Sequence, residues 1–383
     1  MRELVIFIYL LGFKILFTTF KLFPLKNKIT FIVSFSDNSM YIYEELKRQK
    51  ICVQTVFLCN HRCFDEFKKS DEPTYLVESK NVIHGLVGIY HLATSRQIIV
   101  DNYYVFLAST KFRKTVKCTQ IWHSVGAIKQ FGAKDPSNAH RTDAAVRRFK
   151  KVYSRFDNIV VGSDFMAGIF KEAFLVKDDM FLKTGVPRTD FFFDVSQHAA
   201  IKDSIYNDNP LLRGKKVILY APTFRKGEDE INSICLDIQN MYDQLRDDYV
   251  LVIKFHPAVQ LKANFTEYQD FVFDYSDYPC VNELLVITDV LITDYSSIPM
   301  EFALLGRKMI FFAYDLEDYK KNNGLWEDFE SCVPGPVVRD ADKVIDAIFE
   351  DFDTTQIEEY CQKWGQYCDG HSSARFVDVL FGK

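Results

Sequence analysis

A chain of 383 residues exceeds the usual size of a single hydrophobic core, so two domains are expected. With 48% hydrophobic and 26% charged residues and no low-complexity stretch, the composition is globular and excludes a disordered or fibrous chain. A net charge of −5 gives no support to a nucleic-acid partner, although lysines and arginines cluster locally.

The stretch Met1–Pro24 is strongly apolar but carries Lys14 and Lys21, which leave the uninterrupted run short for a spanning helix. An in-plane helix is expected, with Phe and Leu toward acyl chains and Lys14, Lys21, Lys26 and Lys28 toward anionic headgroups on the inner face of a membrane. A transmembrane anchor and a helix packed on its own domain are the alternatives. A cleaved signal peptide is disfavoured, because Phe23-Pro-Leu-Lys26 offers no small-residue cleavage site.

Apolar runs at Ile29–Val33, Val53–Leu58, Thr74–Val77 and Gln97–Val100 alternate with helical segments such as Met40–Gln49, the pattern of a parallel doubly wound sheet. Nine cysteines without a C-x-x-C pair read as reduced thiols, several of them core residues. Cys59 and Cys63 flank His61, but no second ligand pair follows at finger spacing, so no metal site is expected.

After a further strand-like run, Trp122 and His123 precede a small-residue turn containing Gly126, with Lys129 just beyond. A histidine where a strand ends is positioned like a catalytic base, since its unperturbed pKa lies near neutrality. A core histidine bonded to a neighbouring carbonyl would read the same. The helix Arg141–Arg155 holds Arg147, Arg148, Lys150, Lys151 and Arg155, a solvated face or one that attracts phosphates or headgroups. The Gly/Pro turn in Thr184–Asp190 and the polar stretch after it mark a boundary. The expected division is a membrane helix at 1–27, domains at 28–195 and 196–355, and a terminal helix at 356–383 that returns to the first domain.

In the second half, strands end at three polar sites: Thr223 with Arg225, Lys254 with His256, and Asp294 with Ser296, Ser297 and Glu301. Ser296 or Ser297 is expected to cap a helix that takes Pro299 in its first turn and closes at Gly306. Such a helix, opening at the C-terminal end of a parallel strand, points backbone N–H groups at an anion. Neither a Walker A sequence nor G-x-G-x-x-G is present. With His123, these strand ends describe a cleft of two imidazoles, two fixed cations and a helix N-terminus, suited to stabilising a diphosphate leaving group.

Taken in order, Trp122-His-x-x-x-Ala-x-Lys-x-x-Gly132, Thr184-Gly-x-Pro-Arg-x-Asp190, Tyr220-Ala-Pro-Thr-x-Arg225, Lys254-x-His-Pro257 and Thr293-Asp-Tyr-Ser-Ser-x-x-x-Glu301 resemble the motifs of the CDP-glycerol glycerophosphotransferase family of wall teichoic acid synthesis. The resemblance implies a GT-B fold, two Rossmann-like domains facing across a cleft, peripheral on the cytoplasmic membrane face of a Gram-positive bacterium. It implies transfer of glycerol phosphate from CDP-glycerol to an undecaprenyl-diphosphate-linked acceptor, with release of CMP. No cofactor is implied; whether a divalent ion assists is left open.

Carried over by residue, His123 resembles the general base and His256 the histidine that meets the donor phosphates. Arg225, with Thr223 and Lys254, would hold the diphosphate; Asp294, Ser296 and Ser297 lie in the phosphate motif, and Glu301 would meet the ribose. Trp122, Gly126 and Lys129 fall on the acceptor side. Chain-extending members usually read Trp-His-Gly-Thr-Pro-x-Lys. Ser124-Val-Gly-Ala-Ile-Lys129 looks more like the enzymes that prime the ManNAc-GlcNAc lipid. A polymerase or ribitol-phosphate transferase, a GT-B sugar transferase, and a silent membrane scaffold for other teichoic acid enzymes are the competing expectations.

Overall fold

Two parallel sheets, each an alternation of buried strands with helices, organise the chain. The computed structural model describes residues 2–223, 225, 234–255 and 265–382. They form two units: Met1–Val125 with Gln130–Asp190 and Gln366–Lys383, and Gly126–Lys129 with Phe191–Gly365.

The first unit carries β1 (Lys26–Val33), β2 (Gln54–Cys59), β3 (Thr74–Leu76), β4 (Ser95–Val100), β5 (Lys117–Gln120), β6 (Asn158–Val160) and β7 (Phe181–Leu182), in the order β3-β2-β1-β4-β5-β6-β7. The second carries β8 (Lys216–Ala221), β9 (Tyr249–Ile253), β10 (Val272–Asp274), β11 (Val290–Thr293), β12 (Lys308–Phe312) and β13 (Val337–Val338), in the order β10-β9-β8-β11-β12-β13. Each sheet therefore reverses its direction of growth beside its own first strand, between β1 and β4 in one and between β8 and β11 in the other. In sheets of this kind ligands bind outside the carboxyl ends of the strands at that reversal.

The strands are near-continuous apolar runs because helices cover both faces of each sheet. Ile29, Phe31, Val33, Phe57 and Ile99 form one core, to which Phe376 and Val377 of the last helix, Ser372–Phe381, contribute. Ile218, Leu251, Ile292 and Ile310 form the other, against Val344 and Ile348 of the Ala341–Phe349 helix. Cys59 and Cys63 are buried in the first core, and burial pushes the Cys63 thiol up to about 12. The Val82–Thr94 helix was not marked out in the sequence, where Gly85 and Gly88 weaken helix propensity and His84 and His91 are the only strongly polar side chains to set a period.

Helix Arg2–Phe20 is, among the described residues, the one long and apolar enough to cross a membrane, with a mean hydropathy of 1.9. Phe13 and Phe17 are buried against Phe106 and Phe112, with ring centroids 5.0 Å and 5.6 Å apart, and Phe20 meets Tyr90 edge-on. Leu4, Val5, Phe7, Ile8 and Ile15 are exposed. The lysines divide differently from expectation. Lys14 and Lys26 are exposed, but Lys21 Nζ donates to Lys111 O at 2.8 Å. Lys28 is fully buried, its Nζ 3.0 Å from His91 Nδ1 and 2.7 Å from Thr94 Oγ1, and burial lowers its pKa to about 8. It is a core residue of β1 and does not meet headgroups, because Lys28 points into the sheet face that the Val82–Thr94 helix covers.

Candidate active site

At the reversal point of the first unit, Asp101 follows β4 and lies beneath the backbone that leaves β1. Its carboxylate accepts from Ser34 N at 2.8 Å, from Phe35 N at 2.7 Å and from Tyr104 Oη at 2.8 Å. Burial outweighs these bonds and raises its pKa to about 7. Phe35, held by that bond, stacks on His123, ring centroids 4.4 Å apart, and Trp122 covers another side of the imidazole at 4.2 Å.

The Trp122-His123 step is held from several directions. Trp122 has φ +55, a conformation that a bulky residue adopts only when its surroundings enforce it. Its N–H donates to Gln120 Oε1 at 2.9 Å and its carbonyl accepts from Asn38 Nδ2 at 2.9 Å. Arg188 Nη1 donates to His123 O at 2.9 Å while pairing with Asp37, and Arg188 N donates to Asn38 Oδ1. The turn that carries Arg188 is fixed in turn: Asp190 accepts from Ser372 N and Ser373 N, capping the last helix, and a Cβ on Gly185 (φ +81) would lie 2.3 Å from Ser372 Oγ. In Thr184–Asp190, then, Arg188 and Asp190 position the Trp122-His123 loop without belonging to it.

His123 Nδ1 lies 3.3 Å from Asp101 O. A carbonyl can only accept, so Nδ1 carries the proton and Nε2 keeps its lone pair. Burial, reinforced by the Arg188 charge, lowers the imidazole pKa to about 4, so the ring is neutral at pH 7. A neutral imidazole with a fixed tautomer can take a proton at Nε2.

The second unit has the same arrangement with different chemistry. Asp294 follows β11 at the reversal and accepts from Thr223 N at 2.8 Å and from Tyr295 N at 2.7 Å. Arg225 binds it at 2.9 Å and also binds both oxygens of Asp315, at 2.7 Å and 3.0 Å. The guanidinium lies about 5.1 Å from the ring centroids of Tyr295 and Tyr319. Burial alone would lower the Arg225 pKa, but Asp315 and Asp294 outweigh it and raise it. Arg225, expected to hold a diphosphate, is thus engaged by two carboxylates, and Lys254 Nζ by the carbonyls of Ser276 and Tyr278 at 2.6 Å and 2.7 Å.

Thr223 Oγ1 is buried with no hydrogen-bond partner among the described residues. Ser296 Oγ lies 3.1 Å from Thr293 Oγ1 and accepts from Ile298 N at 3.3 Å. Ser297 is the N-cap residue of Ile298–Phe302, but its hydroxyl makes no capping bond, so it differs from the expected side-chain cap. Gly306, with φ +65, closes the segment as expected. Glu301 is buried, His256 lies outside the described residues, and Gly126 packs against Trp364 and Met300, where a Cβ would lie 2.2 Å from the indole. Lys129 Nζ lies 5.3 Å from the Tyr319 ring centroid. Gly126 and Lys129 therefore group with the second unit, while Trp122 and His123 belong to the first. Asp101, Asn38, Arg188 and Asp315 went unassigned in the sequence, since the bonds that give them a role join residues tens of positions apart.

A teichoic acid glycerol-phosphate primase of Bacillus subtilis (strain 168) is 35% identical over 358 residues, 93% of this chain and 92% of the relative. A teichoic acid poly(glycerol phosphate) polymerase of Bacillus spizizenii (strain ATCC 23059 / NRRL B-14472 / W23) is 32% identical over 402 residues, covering 100% and 98%. The wall teichoic acid polymerase TagF, soaked with CDPG as an H-to-N variant, superimposes with a TM-score of 0.78 at 23% identity, over 94% of this chain and 89% of that one. The model of the CDP-Glycerol:Poly(glycerophosphate) glycerophosphotransferase family matches residues 15–382, and the chain belongs to that family of transferases, whose relatives build teichoic acids in Gram-positive bacteria.

Proposed function

We propose that this protein transfers glycerol phosphate from CDP-glycerol to a hydroxyl of an undecaprenyl-diphosphate-linked ManNAc-GlcNAc acceptor, the priming step of wall teichoic acid synthesis. The observation that carries it is the neutral His123 imidazole, whose Nδ1–H is held by Asp101 O while Nε2 remains basic. The acceptor hydroxyl gives its proton to Nε2 as its oxygen bonds to the glycerol-bearing phosphorus. The bond from that phosphorus to the bridging oxygen breaks, and CMP leaves with the electron pair. A phosphate beside the ring raises the depressed pKa again, since negative charge favours imidazolium. No atom changes oxidation state, so no redox cofactor is called for.

On the donor side, the unsatisfied Thr223 hydroxyl and the Ser297 hydroxyl, with Ser296, suit phosphate oxygens, and Glu301 suits the ribose. His256 completes the phosphate contacts in this reading. Arg225 acts through Asp294, keeping the Thr293–Ser297 turn in place. We further infer a GT-B arrangement and a peripheral position on the cytoplasmic membrane face. A helix docked through Phe13, Phe17 and Phe20 along its own unit is suited to lie in the interface rather than to cross it.

A second reading, polymerisation, is supported by the poly(glycerol phosphate) polymerase that covers the whole chain. One assay separates them. Purified protein given CDP-glycerol and the disaccharide lipid is expected to release CMP and add one unit. Many units make it a polymerase, and no CMP release with any acceptor overturns the transferase reading for this substrate pair.

A further inference from the structure

Within the first unit, a cavity of about 800 Å³ opens beside the N-terminal end of helix Arg2–Phe20. It is large enough for a drug-sized or disaccharide-sized ligand. Trp122 lines it, so it reaches the indole that covers His123. Its walls carry two kinds of group. The Trp122 and Phe131 rings, centroids 4.6 Å apart, pack on one another and form part of one wall. Opposite in chemistry, Arg141 lies over the Phe149 ring at 4.8 Å, Thr142 caps helix Asp143–Tyr153, and Arg148 stands midway along it.

Arg148 and Thr142 already hold an anion. Arg148 donates to both carboxylate oxygens of Glu3, at 2.5 Å and 3.1 Å, and Thr142 Oγ1 adds a bond of 3.3 Å. The two halves of this pair are unequal: the Arg148 side chain is 18% exposed and that of Glu3 43%. The cation is built into the unit, whereas the carboxylate reaches it from the first turn of the helix whose outer stripe, Leu4, Val5 and Ile8, is bare. An oxyanion with two oxygens can replace Glu3 without moving Arg148, because a guanidinium accepts carboxylate and phosphate in the same forked geometry.

We propose that this cavity binds the headgroup of a phosphorylated glycolipid: Arg148 and Thr142 take a phosphate in exchange for Glu3, the sugars lie along the wall that Trp122 and Phe131 help to form, and the hydrocarbon follows the bare stripe of Arg2–Phe20. The proposal rests on the acceptor half of the reading above and extends it to residues that no motif contains.

The test is titration calorimetry of the full chain with three probes: inorganic pyrophosphate, a short-alkyl diphosphate disaccharide, and phosphatidylglycerol vesicles. The disaccharide is expected to bind more tightly than pyrophosphate. Arg148→Gln weakens it by about 10–100-fold, the worth of a charge-assisted pair. Glu3→Gln, which leaves Arg148 in place, tightens it by about two- to fivefold, the worth of a part-exposed ion pair. CDP-glycerol affinity is unchanged in both variants. Equal disaccharide affinity in wild type and Arg148→Gln, or competition by phosphatidylglycerol at the same strength as the disaccharide, overturns the proposal. If CMP release proceeds while Arg148 proves irrelevant, the cavity falls and the reaction stands. If the disaccharide binds through Arg148 but no CMP appears, the reaction falls and the cavity stands.

Discussion

Asp101 and Asp294 occupy the same topological position, the residue after the strand that flanks the reversal of each sheet, and both tie down the backbone leaving that sheet's first strand. Their surroundings separate them. Asp294 has a guanidinium at 2.9 Å and is nearly inaccessible, so it belongs to an ion network closed on itself. Asp101 has only N–H and O–H donors, and burial raises its pKa to about 7. One fold has thus produced a carboxylate bound into an ion network in one unit and, in the other, a carboxylate without a cationic partner beside an imidazole packed between aromatic rings.

The contrast is broken most forcefully at His123. His123→Ala is expected to lower kcat by about 10²–10⁴ while leaving CDP-glycerol affinity within about twofold, measured as CMP release and donor titration. Retained turnover would make the Trp122-His123 step a structural turn. Next comes the pair of aspartates themselves. Asp294→Asn leaves Arg225 with one carboxylate in a buried setting and is expected to cost about 3 kcal/mol in chemical denaturation. Asp101→Asn removes a carboxylate that has no cationic partner, keeps a side-chain oxygen to accept from the backbone, and is expected to cost about 1 kcal/mol. Equal costs would erase the distinction.

The smallest effect is in pH. The folded His123 pKa lies below its unfolded value of about 6.5, so stability from it falls as pH drops through 6.5 toward 4. The folded Asp101 pKa lies above its unfolded value of about 3.9, so its contribution falls as pH rises from there toward 7. The two slopes oppose each other between about pH 4 and 6.5. Asp101→Asn removes one of them, and its Tm is expected to fall more steeply than that of wild type between pH 7 and 5. The acid limb of kcat/KM in wild type is expected below pH 5, where the free enzyme's imidazole charges. An acid limb near 6.5 would contradict a buried, neutral His123.

What the sequence determined by itself was the periodic and local part of the protein. Apolar runs of strand length, punctuated by Gly306, Pro299 and the polar strand ends, specified two alternating α/β halves, because burial on both faces leaves a signal in consecutive residues. The same locality brought out His123, Thr223, Ser296 and Ser297, each within a few residues of a strand end. Tertiary structure alone decided which charges are available. Lys28, Lys254 and Arg225 look like free cations in the chain, yet their partners, His91, Ser276, Tyr278 and Asp315, lie 22 to 90 residues away. It likewise decided the tautomer of His123, through a carbonyl 22 positions earlier, and brought Glu3 to Arg148 across 145. Desolvation and pairing depend on which side chains the folded chain brings within a few ångströms, and no local pattern encodes that.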